Sequence, residues 1–465
     1  MPTSPSTREP RPLPDLRPEF CKGCGRCVGA CPHHAIEMGA DIHPLSGLVP
    51  VVFHPECCNG CGLCVDACPE PYGLVLDGAS PLDSAVPVVP RVQPPPADVP
   101  DQAVALPASL PLVVKGTHAS AIGALLAGCR HFFGYPITPS TEGAELMARV
   151  LPDLGGHFVQ AVSEVATINM MYGAGGAGKR AMTFTSSPGF SLMLEGISYM
   201  IGAEVPGVVV NVMRGGPGLG NIAPEQADIK LACRGLGHGN THAIVLAPAT
   251  PQEMLDFTAL AFDLSFRYRN PVVLLADGYL GQMTGKVTLP ATLTQPGLPG
   301  WSVPGDAAHR RNLIASIALA ESDLEEHNRH LDEKYAAMAA EQRADVYRCD
   351  DADVLVVAAN TPGRMAKGAV RTLREAGFRV GLFRPQTLWP FPVKALLPLL
   401  GHVRRIVVVE ASAGQLEDEL RLALSHAGAG ASLRWSHVRR QGGVLPSQRE
   451  IVEAVRGEPG NEVAA

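Results

Sequence analysis

Two copies of one cysteine pattern lie near the start of this 465-residue chain. The first copy, C-x2-C-x2-C-x3-C-P, runs from Cys21 to Pro32, and the second repeats the same spacing from Cys58 to Pro69. Nine of the 12 cysteines fall between Cys21 and Cys68. Thiols concentrated in one short stretch favour metal ligation in a reducing compartment over a disulfide framework.

The spacing predicts how the thiolates are shared between two clusters. Three cysteines separated by two residues can wrap one face of an iron–sulfur cube, and the fourth, turned away by the proline, reaches the other cluster. The two predicted 4Fe-4S ligand sets are Cys21, Cys24, Cys27 with Cys68, and Cys58, Cys61, Cys64 with Cys31. A pair of structural zinc sites is the alternative, since thiolates also suit zinc. The doubled motif resembles the two-cluster bacterial-type ferredoxins, which favours clusters.

Composition excludes several classes of protein. The chain is 46% hydrophobic and 18% charged, which is typical of globular domains. Its formal net charge of -7 provides no basic footprint for nucleic acid or an anionic membrane surface. No apolar run approaches the 18 residues of a membrane span, and the polar N-terminus has no signal-peptide core. We therefore expect a cytoplasmic protein that binds neither nucleic acid nor membrane.

Changes in proline content and in the hydrophobic pattern along the sequence predict three domains of mixed α and β structure. A ferredoxin-like α+β domain is followed by a proline-rich, extended linker. Beyond the linker, short β-rich runs alternate with helical patterns, which predicts a doubly wound domain with a parallel sheet flanked by helices, followed by a smaller α/β domain. The predicted boundaries are 1–16 (disordered lead), 17–79 (ferredoxin), 80–110 (linker), 111–285 (first α/β domain), 286–350 (connecting loop and helix) and 351–460 (smaller α/β domain).

The first α/β domain has six predicted strands with helices between them. The strands are predicted at 131–137, 157–161, 181–185, 207–213, 243–246 and 271–276, and the helices at 117–129, 141–151, 163–176, 189–201 and 250–267. In parallel sheets of this kind the loops after the carboxyl ends of the strands carry the site. The polar residues of greatest interest lie in those loops.

Several segments carry a resemblance to a known family. They are GYPITPSTE (134–142), QAVSEVATINMMYGAGGAGKRA (160–181), TFTSSPGFSLMLEGISY (183–199), NVMRGGPGLGN (211–221) and RPQTLWPFP (384–392). With the cysteine motif, they resemble the α subunit of the 2-oxoacid:ferredoxin oxidoreductases, thiamine-diphosphate enzymes that include pyruvate:ferredoxin oxidoreductase. The resemblance implies a pyrimidine-type thiamine-diphosphate domain and a final domain similar to the transketolase C-terminal domain.

The resemblance also assigns roles to three residues. Glu164 matches the carboxylate that bonds N1′ of the aminopyrimidine, Thr138 a threonine that contacts substrate and cofactor, and Arg214 the arginine that binds the substrate carboxylate. Arginine suits this task because its planar fork meets a carboxylate with two hydrogen bonds. Taken alone, Glu164 could be an ordinary helix N-terminal glutamate, Thr138 a turn residue and Arg214 a strand-end arginine.

The predicted partner subunits depend on a motif that is not found in the sequence. The segment ADGYLGQ (276–282) has no asparagine in the context that thiamine enzymes use to bind magnesium and diphosphate. The resemblance therefore implies a hetero-oligomer in which a β subunit supplies the diphosphate and Mg²⁺ half of the site. It also implies a γ subunit, coenzyme A as co-substrate, and an external ferredoxin or flavodoxin as electron acceptor.

The most detailed prediction concerns the identity of the 2-oxoacid substrate. RGGPGLGN (214–221) looks more like the branched-chain type, which oxidises 3-methyl-2-oxobutanoate, than the 2-oxoglutarate type. The expected activity is oxidative decarboxylation of a 2-oxoacid to acyl-CoA and CO2, with an iron–sulfur protein as acceptor. The alternatives are 2-oxoglutarate, pyruvate or indolepyruvate as substrate, and a non-catalytic electron-transfer or scaffold subunit.

Overall fold

A computed structural model describes residues 11–44, 46–76, 96–309, 312–318 and 321–457 of the chain. The chain divides into two compact units, residues 1–94 with 317–325, and residues 95–316 with 326–465. The first unit holds both cysteine motifs, and the second holds both α/β domains. No helix within the described ranges is long and apolar enough to cross a membrane.

The first unit is built from two similar halves. Its elements are β1 (Pro14–Leu16), α1 (Arg26–Ala30), β2 (Ile36–Met38), β3 (Val51–Phe53), α2 (Leu63–Ala67) and β4 (Leu74–Leu76), with 3-10 turns at Pro18–Phe20 and Pro55–Cys57. Strand β1 pairs with β4 and β2 with β3, both antiparallel. Gly25 and Gly62 precede the two helices in the left-handed conformation, with φ of 71° and 81°, which favours glycine.

The ferredoxin fold begins earlier than the sequence predicts. Residues 14–16 belong to the predicted disordered lead (1–16), yet they form β1 and pair with β4. The partner strand lies about 60 residues further along the chain, so the local sequence carries no sign of the pairing. Residues 1–10 of the lead lie outside the described residues.

The second unit contains two sheets and most of the helices. Its strands are β5 (Gln102–Ala105), β6 (Leu112–Lys115), β7 (His131–Gly134), β8 (His157–Gln160), β9 (Ala181–Thr185), β10 (Gly207–Met213), β11 (Ile244–Leu246), β12 (Pro271–Asp277), β13 (Thr284–Val287), β14 (Thr292–Gln295), β15 (Ala344–Tyr347), β16 (Val354–Val357), β17 (Val380–Pro385), β18 (Thr387–Trp389), β19 (Arg405–Glu410) and β20 (Arg434–Arg439). Its α-helices are α3 (Gly116–Leu126), α4 (Thr141–Val150), α5 (Glu164–Gly176), α6 (Ser187–Gly202), α7 (Ile229–Arg234), α8 (Pro251–Tyr268), α9 (Gly278–Gln282), α10 (Glu321–Met338, of which residues 326–338 belong to this unit), α11 (Asn360–Glu375), α12 (Val393–Leu396), α13 (Gln415–His426) and α14 (Gln448–Arg456). Short 3-10 turns span Pro152–Leu154 and Leu397–Gly401.

The larger sheet has seven strands in the order β18-β11-β12-β10-β9-β7-β8. All pairs are parallel except β18 with β11. Strands β10 and β12 are buried at every position, which explains their almost continuous apolar sequences. Helices α3 and α8 pack on each other, as do α5 and α6, and both pairs contact the sheet. The carboxyl ends of the parallel strands therefore meet at one edge.

The smaller sheet has the order β15-β17-β16-β19-β20, with β15 antiparallel. Two strands cross the predicted domain boundaries. Strand β15 falls in the predicted connecting segment 286–350, and β18, inside RPQTLWPFP, adds an edge to the larger sheet. Both are short edge strands whose pairing depends on residues far away in sequence, so a local pattern could not assign them.

The end of the predicted linker (80–110) is part of the second unit. Strand β5 pairs antiparallel with β14, and Val99 forms a bridge with Leu298. Asp101 accepts a hydrogen bond from the buried Arg180 at 2.5 Å, and Asp98 accepts one from Gly300 N at 2.6 Å. Residues 98–105 are therefore paired with residues 292–300 and attached to the first α/β domain through Arg180, whereas residues 77–95 lie outside the described residues.

Candidate functional site

The cysteines of the first unit surround two hollows. Cys21, Cys24, Cys27 and Cys68 line one hollow, and Cys31, Cys58, Cys61 and Cys64 line another. These are the two sets that the spacing predicts, with the fourth cysteine of each motif exchanged. Within the described ranges, no three His, Cys, Asp or Glu side chains are grouped to hold a single metal ion. Each set supplies the four thiolates that a 4Fe-4S cluster requires.

Backbone N–H groups point at three of these sulfur atoms. Ala35 N lies 3.3 Å from Cys31 Sγ, Val51 N lies 3.5 Å from Cys21 Sγ, and Gly60 N lies 3.4 Å from Cys58 Sγ. Hydrogen bonds to sulfur stabilise thiolate charge and are one of the protein's means of setting a cluster's potential. The amide donors needed by anionic ligands are therefore in place.

Glu164 is the first residue of α5, in the loop that follows β8. The Ser163 hydroxyl accepts the N–H of Ala166 at 3.2 Å and so starts the helix at Glu164. The glutamate is 5% exposed, and no residue in the described ranges donates a hydrogen bond to its carboxylate. A Cβ atom added at Gly189 would lie 2.5 Å from Glu164 Oε1. A buried carboxylate without a protein donor fits a site where a ligand supplies the partner.

Arg214 follows the last residue of β10 and is 9% exposed. Its Nη1 donates to the Thr138 carbonyl at 2.7 Å, and its Nη2 donates to the Leu219 carbonyl at 3.3 Å. Its Nε is buried and has no partner among the described residues. Thr138 itself lies in the loop after β7, with an exposed side chain. The structure thus brings Arg214 and Thr138 into contact and leaves the guanidinium with donors to spare.

The first turn of α6 connects these residues. Ser187 Oγ accepts the Arg214 N–H at 3.1 Å and lies 2.5 Å from Asp228 Oδ2, to which Asn211 Nδ2 also donates at 2.8 Å. Burial raises the pKa of the Asp228 carboxyl, and the hydrogen bonds from Ser187 and Asn211 oppose that rise. Gly189, which faces Glu164, belongs to the same turn. The start of α6 therefore touches both Glu164 and Arg214.

Ser187, Gly189 and Asp228 were not predicted from the sequence as residues of the site. The sequence contains one indication of the hydrogen-bond network around Asp228. Asn211 is a polar residue inside the otherwise apolar strand β10, and a fully buried amide must find a hydrogen-bond partner. Nothing in the sequence indicated which carboxylate that partner would be.

Asp277, in the ADGYLGQ segment, uses its carboxylate to join the two α/β domains. Oδ1 accepts the N–H of Tyr279 at 3.1 Å and of Leu280 at 3.0 Å, together with the Thr361 hydroxyl at 2.8 Å. Oδ2 accepts the Thr361 N–H at 2.9 Å. Asp277 therefore caps the N-terminus of α9 and binds the first turn of α11.

Replacing Asp277 with asparagine should lower the thermal stability of the chain. The amide places an NH2 group against one or more backbone N–H donors, at a cost of about 1–3 kcal/mol. We expect the melting temperature to fall by a few degrees, measured by circular dichroism. Asp153→Asn, at an exposed position, is the matched control and should leave it unchanged. An unaltered melting temperature in Asp277→Asn would contradict this role.

The fold and the site together define a class: an iron–sulfur oxidoreductase chain that joins a cluster-binding unit to a cofactor-binding α/β domain. Three family models match successive parts of the sequence. Residues 20–71 match a 4Fe-4S dicluster domain, residues 122–348 the thiamine diphosphate-binding domain of pyruvate flavodoxin/ferredoxin oxidoreductase, and residues 352–451 core domain II of pyruvate:ferredoxin oxidoreductase.

Relatives cover most of the chain. Ketoisovalerate oxidoreductase subunit VorB of Methanothermobacter thermautotrophicus is 46% identical over 352 residues, which is 75% of this chain and 98% of the relative. 2-Oxoglutarate synthase subunit KorA of Methanocaldococcus jannaschii is 37% identical over 66% of this chain and 90% of the relative. The chain belongs to the 2-oxoacid:ferredoxin oxidoreductase family, which confirms the resemblance, the fold class, the 4Fe-4S domain and the thiamine diphosphate-binding domain.

A solved structure supports the same family. It is the 2-oxoglutarate:ferredoxin oxidoreductase of Magnetococcus marinus with 2-oxoglutarate, coenzyme A and succinyl-CoA bound. The match has a TM-score of 0.68 at 27% identity and covers 75% of this chain and 65% of the solved one. Several relatives are named as subunits, so proteins of this family work in multi-subunit complexes.

Proposed function

We propose that this chain is the α subunit, with a fused two-cluster ferredoxin domain, of a CoA-dependent oxidoreductase for branched-chain 2-oxoacids. The preferred substrate is 3-methyl-2-oxobutanoate, which is oxidised to acyl-CoA and CO2. The observation that carries the proposal is the 46% identity to a ketoisovalerate oxidoreductase subunit over 98% of its length, against 37% for a 2-oxoglutarate synthase subunit.

The proposed roles of the site residues follow from their surroundings. Thiamine diphosphate, when bound, supplies the carbon nucleophile that attacks the keto carbon of the substrate. Glu164 holds the proton on N1′ of the aminopyrimidine, a role supported by its burial and its lack of a protein donor. Arg214 binds the substrate carboxylate through donors that the protein leaves free, and Thr138 contributes its exposed hydroxyl beside it.

The eight motif cysteines hold the two clusters that carry electrons away. Oxidation of a 2-oxoacid releases two electrons, and iron–sulfur clusters accept them one at a time. The set Cys21, Cys24, Cys27 and Cys68 holds one cluster, and Cys31, Cys58, Cys61 and Cys64 the other, in accord with the two hollows they line. An external ferredoxin or flavodoxin is the proposed final acceptor.

The site at the sheet edge needs a partner to complete it. Large apolar side chains with substantial exposure lie in the loops and the first two helical turns of this edge: Tyr135, Val162, Val165, Leu192, Leu219, Ile222 and Tyr279. Val162 is 88% exposed and Leu219 84% exposed. Exposed apolar groups collected at one edge favour a protein interface. We assign this surface to a β subunit that brings the diphosphate and Mg²⁺ half-site, in a cytoplasmic hetero-oligomer that also contains a γ subunit.

The test is a substrate panel with the assembled complex. The chain is co-expressed without oxygen with candidate β and γ subunits, and CoA-dependent reduction of a viologen dye is measured for several 2-oxoacids. We expect kcat/KM for 3-methyl-2-oxobutanoate to exceed that for 2-oxoglutarate and pyruvate by about tenfold or more. A preference for 2-oxoglutarate would transfer the assignment to that substrate. Full clusters without turnover of any 2-oxoacid would favour an electron-transfer scaffold.

A further inference from the structure

The loop that carries the proposed substrate arginine folds back on itself. This loop, residues 214–225, is called the arginine loop below. Asn221 N donates to the Gly215 carbonyl at 3.1 Å and closes the loop. The Leu219 carbonyl then receives the Nη2 group of Arg214 at 3.3 Å. The shape of the loop therefore fixes the direction of its own arginine side chain.

A turn of the smaller α/β domain lies against this loop. Glu225 is 6% exposed, and its two carboxylate oxygens accept backbone N–H groups from different domains. Oε2 accepts Gly216 N of the arginine loop at 3.0 Å, and Oε1 accepts Gly442 N at 3.2 Å. Asn221 Nδ2 donates back to the Gly442 carbonyl at 2.9 Å. One turn thus makes hydrogen bonds at both the tip and the base of the loop.

Close packing accompanies these hydrogen bonds. Gly443 has a φ of +91°, a conformation that favours glycine. A Cβ atom at this position would lie 2.4 Å from Ala223 Cβ and 3.0 Å from Asn221 Oδ1. A side chain there would push the turn and the arginine loop apart.

We propose that Glu225 and the Gly442–Gly443 turn form a clamp through which the smaller domain holds the arginine loop and aims Arg214 at the substrate carboxylate. The proposal rests on the proposed function of Arg214. A buried carboxylate that serves one N–H from each domain is satisfied only when both are in place. Glu225 is thus a positioning residue for substrate binding, and the smaller domain takes part in substrate recognition as well as assembly.

The clamp predicts a specific kinetic change in the assembled complex. In Glu225→Gln, an NH2 group replaces one of the two acceptor oxygens and opposes a backbone N–H. We expect KM for the 2-oxoacid to rise about tenfold, with kcat and the KM for coenzyme A each changed by less than about twofold. Gly443→Ala should give the same pattern, because it opens the clamp from the other side.

The matched control is Glu419→Gln. Glu419 pairs with Arg234 at 2.5 Å, so it also links the two α/β domains, but it makes no contact with the arginine loop among the described residues. This variant should leave the KM for the 2-oxoacid unchanged. An equal rise in Glu419→Gln, or no rise in Glu225→Gln, overturns the clamp.

Hydrogen exchange of the full chain provides a readout that needs no turnover. Peptides covering 214–225 should exchange faster in Glu225→Gln than in the wild type and keep their wild-type rate in Glu419→Gln. Equal exchange in Glu225→Gln and wild type overturns the clamp. If the wild-type complex oxidises no 2-oxoacid, the proposed function fails, and the exchange result still decides whether the clamp exists.

Discussion

Replacing Glu164 with glutamine should reduce CoA-dependent dye reduction by about a hundredfold or more, the usual magnitude for loss of a positioned proton-transfer group. Glutamine keeps the shape of the side chain, so the fold around α5 should survive. It cannot carry the negative charge that holds a proton on N1′ of the aminopyrimidine. The buried position of Glu164 strengthens the effect, because a charge acts most strongly where water is excluded.

Two companion variants separate this role from a general loss of structure. Glu145→Gln changes an exposed glutamate on α4 of the same domain and should retain wild-type activity. Gly189→Ala keeps Glu164 but places a methyl group about 2.5 Å from its carboxylate, and it should also impair turnover. Normal cluster content and melting temperature in all three variants would confine the effect to the site. Full activity in Glu164→Gln would remove Glu164 from the mechanism.

The parts of the fold predicted from sequence are those that depend on local patterns. Strands β9 and β10 have the predicted bounds because runs rich in apolar and β-branched residues suit strands that are buried on both faces. Arg214 could be placed at the sheet edge because it follows β10, and Glu164 because it follows the more exposed strand β8. The pairing of β1 with β4, and of β5 with β14, depends on partners distant in sequence.

The hydrogen bonds that orient the site residues also join residues distant in sequence, so they could not be predicted from local patterns. The contact between Ser187 and Asp228 spans 41 residues, and that between Glu225 and Gly442 spans 217. The local sequence around each of these residues gives no indication of its hydrogen-bond partner, and the partner is known only from the folded structure. The sequence therefore reveals the groups proposed to meet the ligand more readily than the groups that orient them.

Replacing Cys68 with serine should remove the cluster held by the other motif. Cys68 belongs in sequence to the second motif but lines the hollow formed by Cys21, Cys24 and Cys27. We expect iron to fall from about eight to about four atoms per chain, since each 4Fe-4S cluster needs its four thiolates. The measurement is iron and acid-labile sulfide in protein purified without oxygen. Cys57→Ser, an exposed cysteine outside the pattern, is the control and should keep both clusters.

Paired substitutions show which cysteines share a cluster. If Cys27 and Cys68 bind the same cluster, the double variant Cys27→Ser with Cys68→Ser should lose no more iron than either single variant. The double variant Cys64→Ser with Cys68→Ser should lose both clusters, because its cysteines line different hollows. If each motif instead held its own cluster, the two double variants would exchange these results. Zinc in place of iron and sulfide would reject the cluster assignment altogether, because a zinc site contains no inorganic sulfide.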